Sequence, residues 1–233
     1  MEKDIVDKES NEDHGRLMKF VESIAISPHG ARILVKRYES QARKFLPTAT
    51  DAKIQNLVTD KIIKRYSKLA ATSGAVTSIP GIIPGAGTTV SVGVGGLADV
   101  SFCMKLQIDM TMCLGIAIND GMSDEDAKHM SYIIALFGAL EQMGSSGATR
   151  IASKAGVKMI NQYLSGATLV AIKALFKKVG ISFTQKAASK AIPFGIGVFI
   201  GGSANYALTK YIGKTARETF LLDATEKSQA IAS

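Results

Sequence analysis

The chain has no tryptophan, two cysteines, five prolines and three histidines, and aromatic residues make up only 6% of its 233 positions. Each shortage removes something. Without aromatic platforms or a known reading motif, nucleic acid is not expected as a partner. Cys103 and Cys113 fall on one expected helix, where ten residues rise roughly 15 Å. That exceeds the reach of a disulfide, so both thiols are expected free, in a reducing compartment. His14, His29 and His129 stand apart, and neither HExxH nor Cys-x-x-Cys occurs, so no metal site is expected.

Catalytic signatures are missing as well. Gly81 to Thr89 reads GIIPGAGTT, which invites comparison with a phosphate-binding loop. It lacks the lysine that would reach the phosphates, and no strand precedes it. Asp120, Asp124, Glu125 and Asp126 do not have calcium-loop spacing and suit helix capping better. A free cysteine such as Cys103 is more often a small buried hydrophobe than a nucleophile. The expectation is a protein that is not an enzyme, with no cofactor and no catalytic residues.

Acid is absent from one long region. Between Gln142 and Thr209 there are eight basic residues and no carboxylate, and the whole chain carries a net charge of +8. Arg150, Lys154 and Lys158 recur every four residues on an expected helix beginning near Ser146, with Ile151, Ala155, Met159 and Ile160 as its apolar side. Lys173, Lys177 and Lys178 repeat the arrangement on the next. These six residues are the expected contact with anionic membrane lipid or a lipid-like ligand, the plainer alternative being a lysine-rich soluble surface. By contrast, Met1 to Asp13 holds six acidic and two basic residues, unlike a signal peptide, and reads as a disordered lead-in.

What is present in abundance is helical periodicity. Ile54, Leu57, Val58, Ile62, Ile63, Tyr66 and Leu69 step by three and four, with lysines largely off the stripe. Ser27-Pro28 reads as a helix cap followed by proline at the first helical position, and Ser123 with its acidic neighbours as another start. Helices are expected near 15–26, 28–45, 51–78, 86–118, 124–143, 146–163, 166–179, 182–190 and 193–224. The fold class is all-α, a single multi-helix globular domain over 14–225 with a flexible tail at 226–233.

Two long uncharged stretches, Leu69 to Ala98 and Ala191 to Thr209, are rich in glycine and carry Pro80, Pro84 and Pro193. Small residues recur every four positions at Gly87, Ser91 and Gly95, and again at Gly197 and Gly201. The stripes end in single polar residues, Asp99 and Asn205. Interior helical glycine costs roughly 1 kcal/mol relative to alanine, which close helix–helix approach offsets. Both stretches are expected as buried helices packed tightly together, with Asp99 and Asn205 as a polar locus that fixes register. Dilution by Gly, Ser, Thr and Asn disfavours a bilayer span, though the length permits one.

The segments SGAVTSIPGIIPGAGTTVSVGVGGLADV and KAIPFGIGVFIGGSANYALTKYIGKTARETF resemble the EcsC protein family, over roughly Lys64 to Asp223. By position, Pro84, Gly85, Gly87, Gly95, Gly96 and Asp99 match the first family segment; Pro193, Gly197 and Asn205 match the second. The resemblance implies a bacterial helical protein, linked through the family's founding member to an ABC-transporter operon, and supplies no catalytic residues. Lacking nucleotide-binding motifs, the chain is not expected to be the ATPase. The leading expectation is a non-enzymatic cytoplasmic protein, peripheral at the inner membrane, that associates with the membrane surface or binds a lipid-like amphiphile. The alternatives are an accessory that docks on a transporter or other membrane-protein partner, and a membrane-inserting effector.

Overall fold

The structure, a computed structural model, describes residues 18–19, 21–76, 95–142, 150–165, 168–189 and 202–232. In chain order these form α1 (Pro28–Phe45), α2 (Asp51–Val76), α3 (Gly95–Ile118), α4 (Asp124–Gln142), α5 (Lys154–Leu164), α6 (Thr168–Ser189) and α7 (Gly202–Ala232). A short helical turn at 21–24 leads into α1. Among the described residues there is no strand, and one hydrophobic core joins all seven helices in a single all-α domain.

Local chemistry sets several of the ends. The Ser27 Oγ accepts from the Gly30 N–H at 3.1 Å, and Pro28 opens α1. The Asp126 N–H donates to Ser123 Oγ at 3.0 Å, and Asp124, Glu125 and Asp126 place negative charge at the positive end of α4. After α3 the chain turns through Asn119-Asp120-Gly121, where the Met122 N–H donates to the Asn119 carbonyl at 3.1 Å.

α3 is the central helix. Met104, Leu106, Ile108, Met110, Met112, Leu114 and Ile116 are all buried although they point around its full circumference. A helix apolar all round has to be enclosed, and α1, α2, α4 and α7 surround it. α2 and α7 run antiparallel, with Asp60 and Arg217 paired at 2.6 Å and Gly213 against Ile63. α6 packs on α4 through Tyr132 and Phe176, whose ring centroids are 6.0 Å apart. α5 reaches α7 through the Asn161 amide, which donates to the buried Asp223 carboxylate at 3.1 Å. Buried hydroxyls mostly turn back on their own helices: Thr59, Thr111, Ser131 and Thr219 each donate to a carbonyl one turn earlier.

Three boundaries differ from the sequence-based expectation. α5 begins at Lys154 rather than near Ser146. α6 runs without a break through Gly180, where two helices were expected. Leu175, Phe176 and Val179 are buried just before that glycine, and their packing offsets its modest helical cost. α7 continues past 224 through the stretch read as a tail, ending at Ala232. The expected helices over 86–94 and 193–201 lie outside the described residues, as do Pro84, Gly87, Ser91, Pro193, Gly197 and Gly201.

Candidate lipid-contact face and polar groove

On α6 a turn of 100° per residue places Leu169, Val170, Lys173, Ala174, Lys177 and Lys178 on one half of the helix, and all six are exposed. Ile172, Leu175, Phe176 and Val179 occupy the other half and are buried. Leu169 is 51% and Val170 66% exposed, large values for apolar side chains. Lys154 and Lys158 are exposed on the adjoining α5. Five of the six basic residues expected to share one surface therefore stand on neighbouring helices, facing solvent.

Arg150 does not extend the α5 stripe. Ser153 caps the helix, its Oγ accepting from the Gly156 N–H at 3.0 Å and donating to the Arg150 carbonyl at 2.6 Å. The chain at 150–151 folds back over the first turn so closely that a Cβ on Gly156 would collide with the Ile151 carbonyl. Arg150 is exposed just before this fold, and its charge opposes the rise that burial causes in the Tyr211 hydroxyl pKa. Any helical continuation back to Ser146 is excluded at these residues, because Gly156 lies under the chain that the continuation would use.

Of the expected polar locus, Asn205 is buried on α7, and Gly95 opens α3. Asp99 lies on the first turns of α3, and its side chain is outside what the structure describes. Close glycine contacts appear elsewhere. A Cβ on Gly213 would come within 2.9 Å of Met110 Sδ, so α7 approaches α3 where its side chain is absent.

A second constellation was not anticipated. An open groove of about 450 Å³ lies between the lead-in turn, α1, α2 and α3. Its lining includes Ile26, Ile33, Leu34, Tyr66, Leu69 and Leu106, with the charged residues Arg37, Arg65, Lys105 and Asp109. Asp109 is almost wholly buried, yet its carboxylate accepts from the Ile26 N–H at 2.8 Å and from Lys105 Nζ one turn earlier. Burial pushes its pKa up, against the opposing Lys105 charge and the Ile26 hydrogen bond. Arg65 donates to the Tyr38 hydroxyl at 3.0 Å.

Behind the groove, the Tyr66 hydroxyl lies 3.8 Å from Cys113 Sγ. Burial raises both pKa values, the thiol to about 12, so each stays protonated at neutral pH. The clearest sequence signal for this site was the pair Lys105 and Asp109, two charges four residues apart in an otherwise uncharged run. Which helices would meet them was not encoded locally. Among the described residues no cluster of His, Cys, Asp and Glu has metal-site geometry, and no helix is long and apolar enough to cross a membrane.

A family model described as the EcsC protein family matches residues 33–222, well over half of the chain. No curated protein and no solved structure matches. The matched span includes all of α2 to α6, the groove's three cations and every basic residue of the α5–α6 face.

Proposed function

The chain belongs to the EcsC protein family, and we propose that it acts without catalysis, resting on the inner surface of a membrane and contacting anionic lipid through α5 and α6. One observation carries this reading: Leu169 and Val170 stand exposed beside Lys173, Lys177 and Lys178 on the same half of α6. Apolar side chains enter the headgroup boundary while lysines hold the anionic surface, which is the division of labour of an interfacial helix. Each lysine near such a surface contributes about 1 kcal/mol, within a Debye length of roughly 10 Å at moderate salt. Neither α5 nor α6 contains a carboxylate to cancel that attraction.

Co-flotation with vesicles tests the reading. The protein is expected to float with vesicles rich in anionic phospholipid, to lose binding as salt rises, and to ignore neutral vesicles. Lys173→Glu/Lys177→Glu/Lys178→Glu should abolish flotation, and Leu169→Ser/Val170→Ser should weaken it at every salt concentration. Lys53→Glu/Lys61→Glu/Lys64→Glu on α2 makes the same change in net charge. If that variant loses binding as fully as the α6 variant, the α6 face is not the contact.

A further inference from the structure

The groove beside Asp109 is built by α1, α2 and α3, whereas α6 packs on α4 and α5. The groove therefore needs an explanation independent of the lipid-contact face. Its walls are apolar and partly open to solvent, with Ile33 54% and Leu69 39% exposed. Its cations are unevenly satisfied. Lys105 is held by Asp109, while Arg65 spends one of its five N–H donors on Tyr38. Among the described residues, neither Arg37 nor Arg65 has a carboxylate partner. Three cations against one carboxylate leave a net +2 at one place in an apolar trough.

We propose that this groove binds a single-chain lipid phosphate monoester, its phosphate held by Arg37 and Arg65 and its hydrocarbon chain lying against Ile33, Leu34, Leu69 and Leu106. Charge selects the headgroup. A phosphate monoester carries about −1.5 to −2 at pH 7, which matches the local excess more closely than a fatty carboxylate does. Guanidinium groups suit it because their planar forks bind phosphate oxygens in pairs. The volume of about 450 Å³ lies inside the range of roughly 300–1,000 Å³ typical of small-molecule sites. Asp109 occupies Lys105 and so leaves the two arginines to take the headgroup.

The test is isothermal calorimetry on the full chain with oleoyl lysophosphatidate below its micellar concentration, against inorganic phosphate, oleate and oleoyl lysophosphatidylcholine. One lysophosphatidate is expected to bind per chain, with each of the other three at least tenfold weaker. Arg37→Gln/Arg65→Gln should weaken lysophosphatidate at least tenfold while the chain stays folded with only a small fall in melting temperature, since both side chains are exposed and a single hydrogen bond, from Arg65 to Tyr38, is lost. Ile33→Asp, at a half-exposed wall position, should do the same through the chain-binding side. The α6 variant Lys173→Glu/Lys177→Glu/Lys178→Glu should bind as the parent does, which separates this site from the membrane-contact reading. Binding within twofold of the parent in the double-glutamine variant would overturn the proposal. Equal affinity for lysophosphatidylcholine, or equal loss in the α6 variant, would also overturn it.

Discussion

The Phe220 ring lies directly over Gly115: a Cβ added to that glycine would stand 2.7 Å from Phe220 Cζ. Phe220 is 2% exposed, so its ring is enclosed by the core and cannot swing out into solvent. α3 and α7 cross here at a separation that the missing side chain permits.

Gly115→Ala sets a gain in helix propensity of about 1 kcal/mol against overpacking of about 1–3 kcal/mol. A net loss of up to about 2 kcal/mol is expected by denaturant unfolding. Gly115→Val, bulkier and without the full propensity gain, should lose more. Pairing Gly115→Ala with Phe220→Leu should cost less than the two changes summed, because they share one space. Strict additivity would mean that the ring is not what limits residue 115.

Arg32 joins α1 to the turn between α3 and α4. Its guanidinium donates to the Asp120 carbonyl at 2.9 Å, to the Met122 carbonyl, and to Asp124 Oδ1 at 3.0 Å. Hydrogen bonds to a charged group are worth about 1.5–3 kcal/mol each at their strongest, and shared exposure reduces the total. Arg32→Ala is expected to lower unfolding free energy by about 2–3 kcal/mol. Arg32→Lys should recover less than half, since one ammonium cannot span three acceptors in a plane. A lysine variant as stable as the parent would refute the clamp.

Asp109 makes a pH signature. Its folded-state pKa is raised, chiefly by burial, with Lys105 and the Ile26 N–H opposing. Over the window from the ordinary carboxylate value up to the raised one, the folded state binds more protons than the unfolded state. Stability from this group is therefore present at low pH and is lost as pH rises through that window. Asp109→Asn removes the titration. The parent's stability relative to the Asn variant should improve as pH falls toward the ordinary carboxylate range, measured by urea unfolding at matched salt. A relative decline over the same range would show that the Lys105 ion pair outweighs burial.

Much of the fold was legible from the sequence because helices are local objects. Ser27-Pro28 marks the start of α1, and the helix ends at Phe45 as its periodicity indicates. Ser123 and the three acids after it mark α4. Cys103 and Cys113 fall on one helix, and both are buried thiols that form no disulfide with each other, as their spacing indicates. The segments that carry the EcsC resemblance also lead to the family that the match identifies.

The groove, the clamp and the true start of α5 were not legible. Lys105 and Asp109 are visible as a pair one turn apart, but the Ile26 N–H that completes the carboxylate comes from 83 residues earlier. Arg65 meets Tyr38, and Arg32 meets Asp124, only because α1 lies across both α2 and the α3–α4 turn. At α5 the expected start near Ser146 gives way to a cap at Ser153, which depends on a close fold over Gly156 that periodicity does not report. Amino-acid order by itself determined which stretches coil and which side chains are apolar, since both follow from interactions within a turn or two of helix. Tertiary packing alone decided which charges are buried, which are left exposed, and which meet, because those depend on contacts between distant residues.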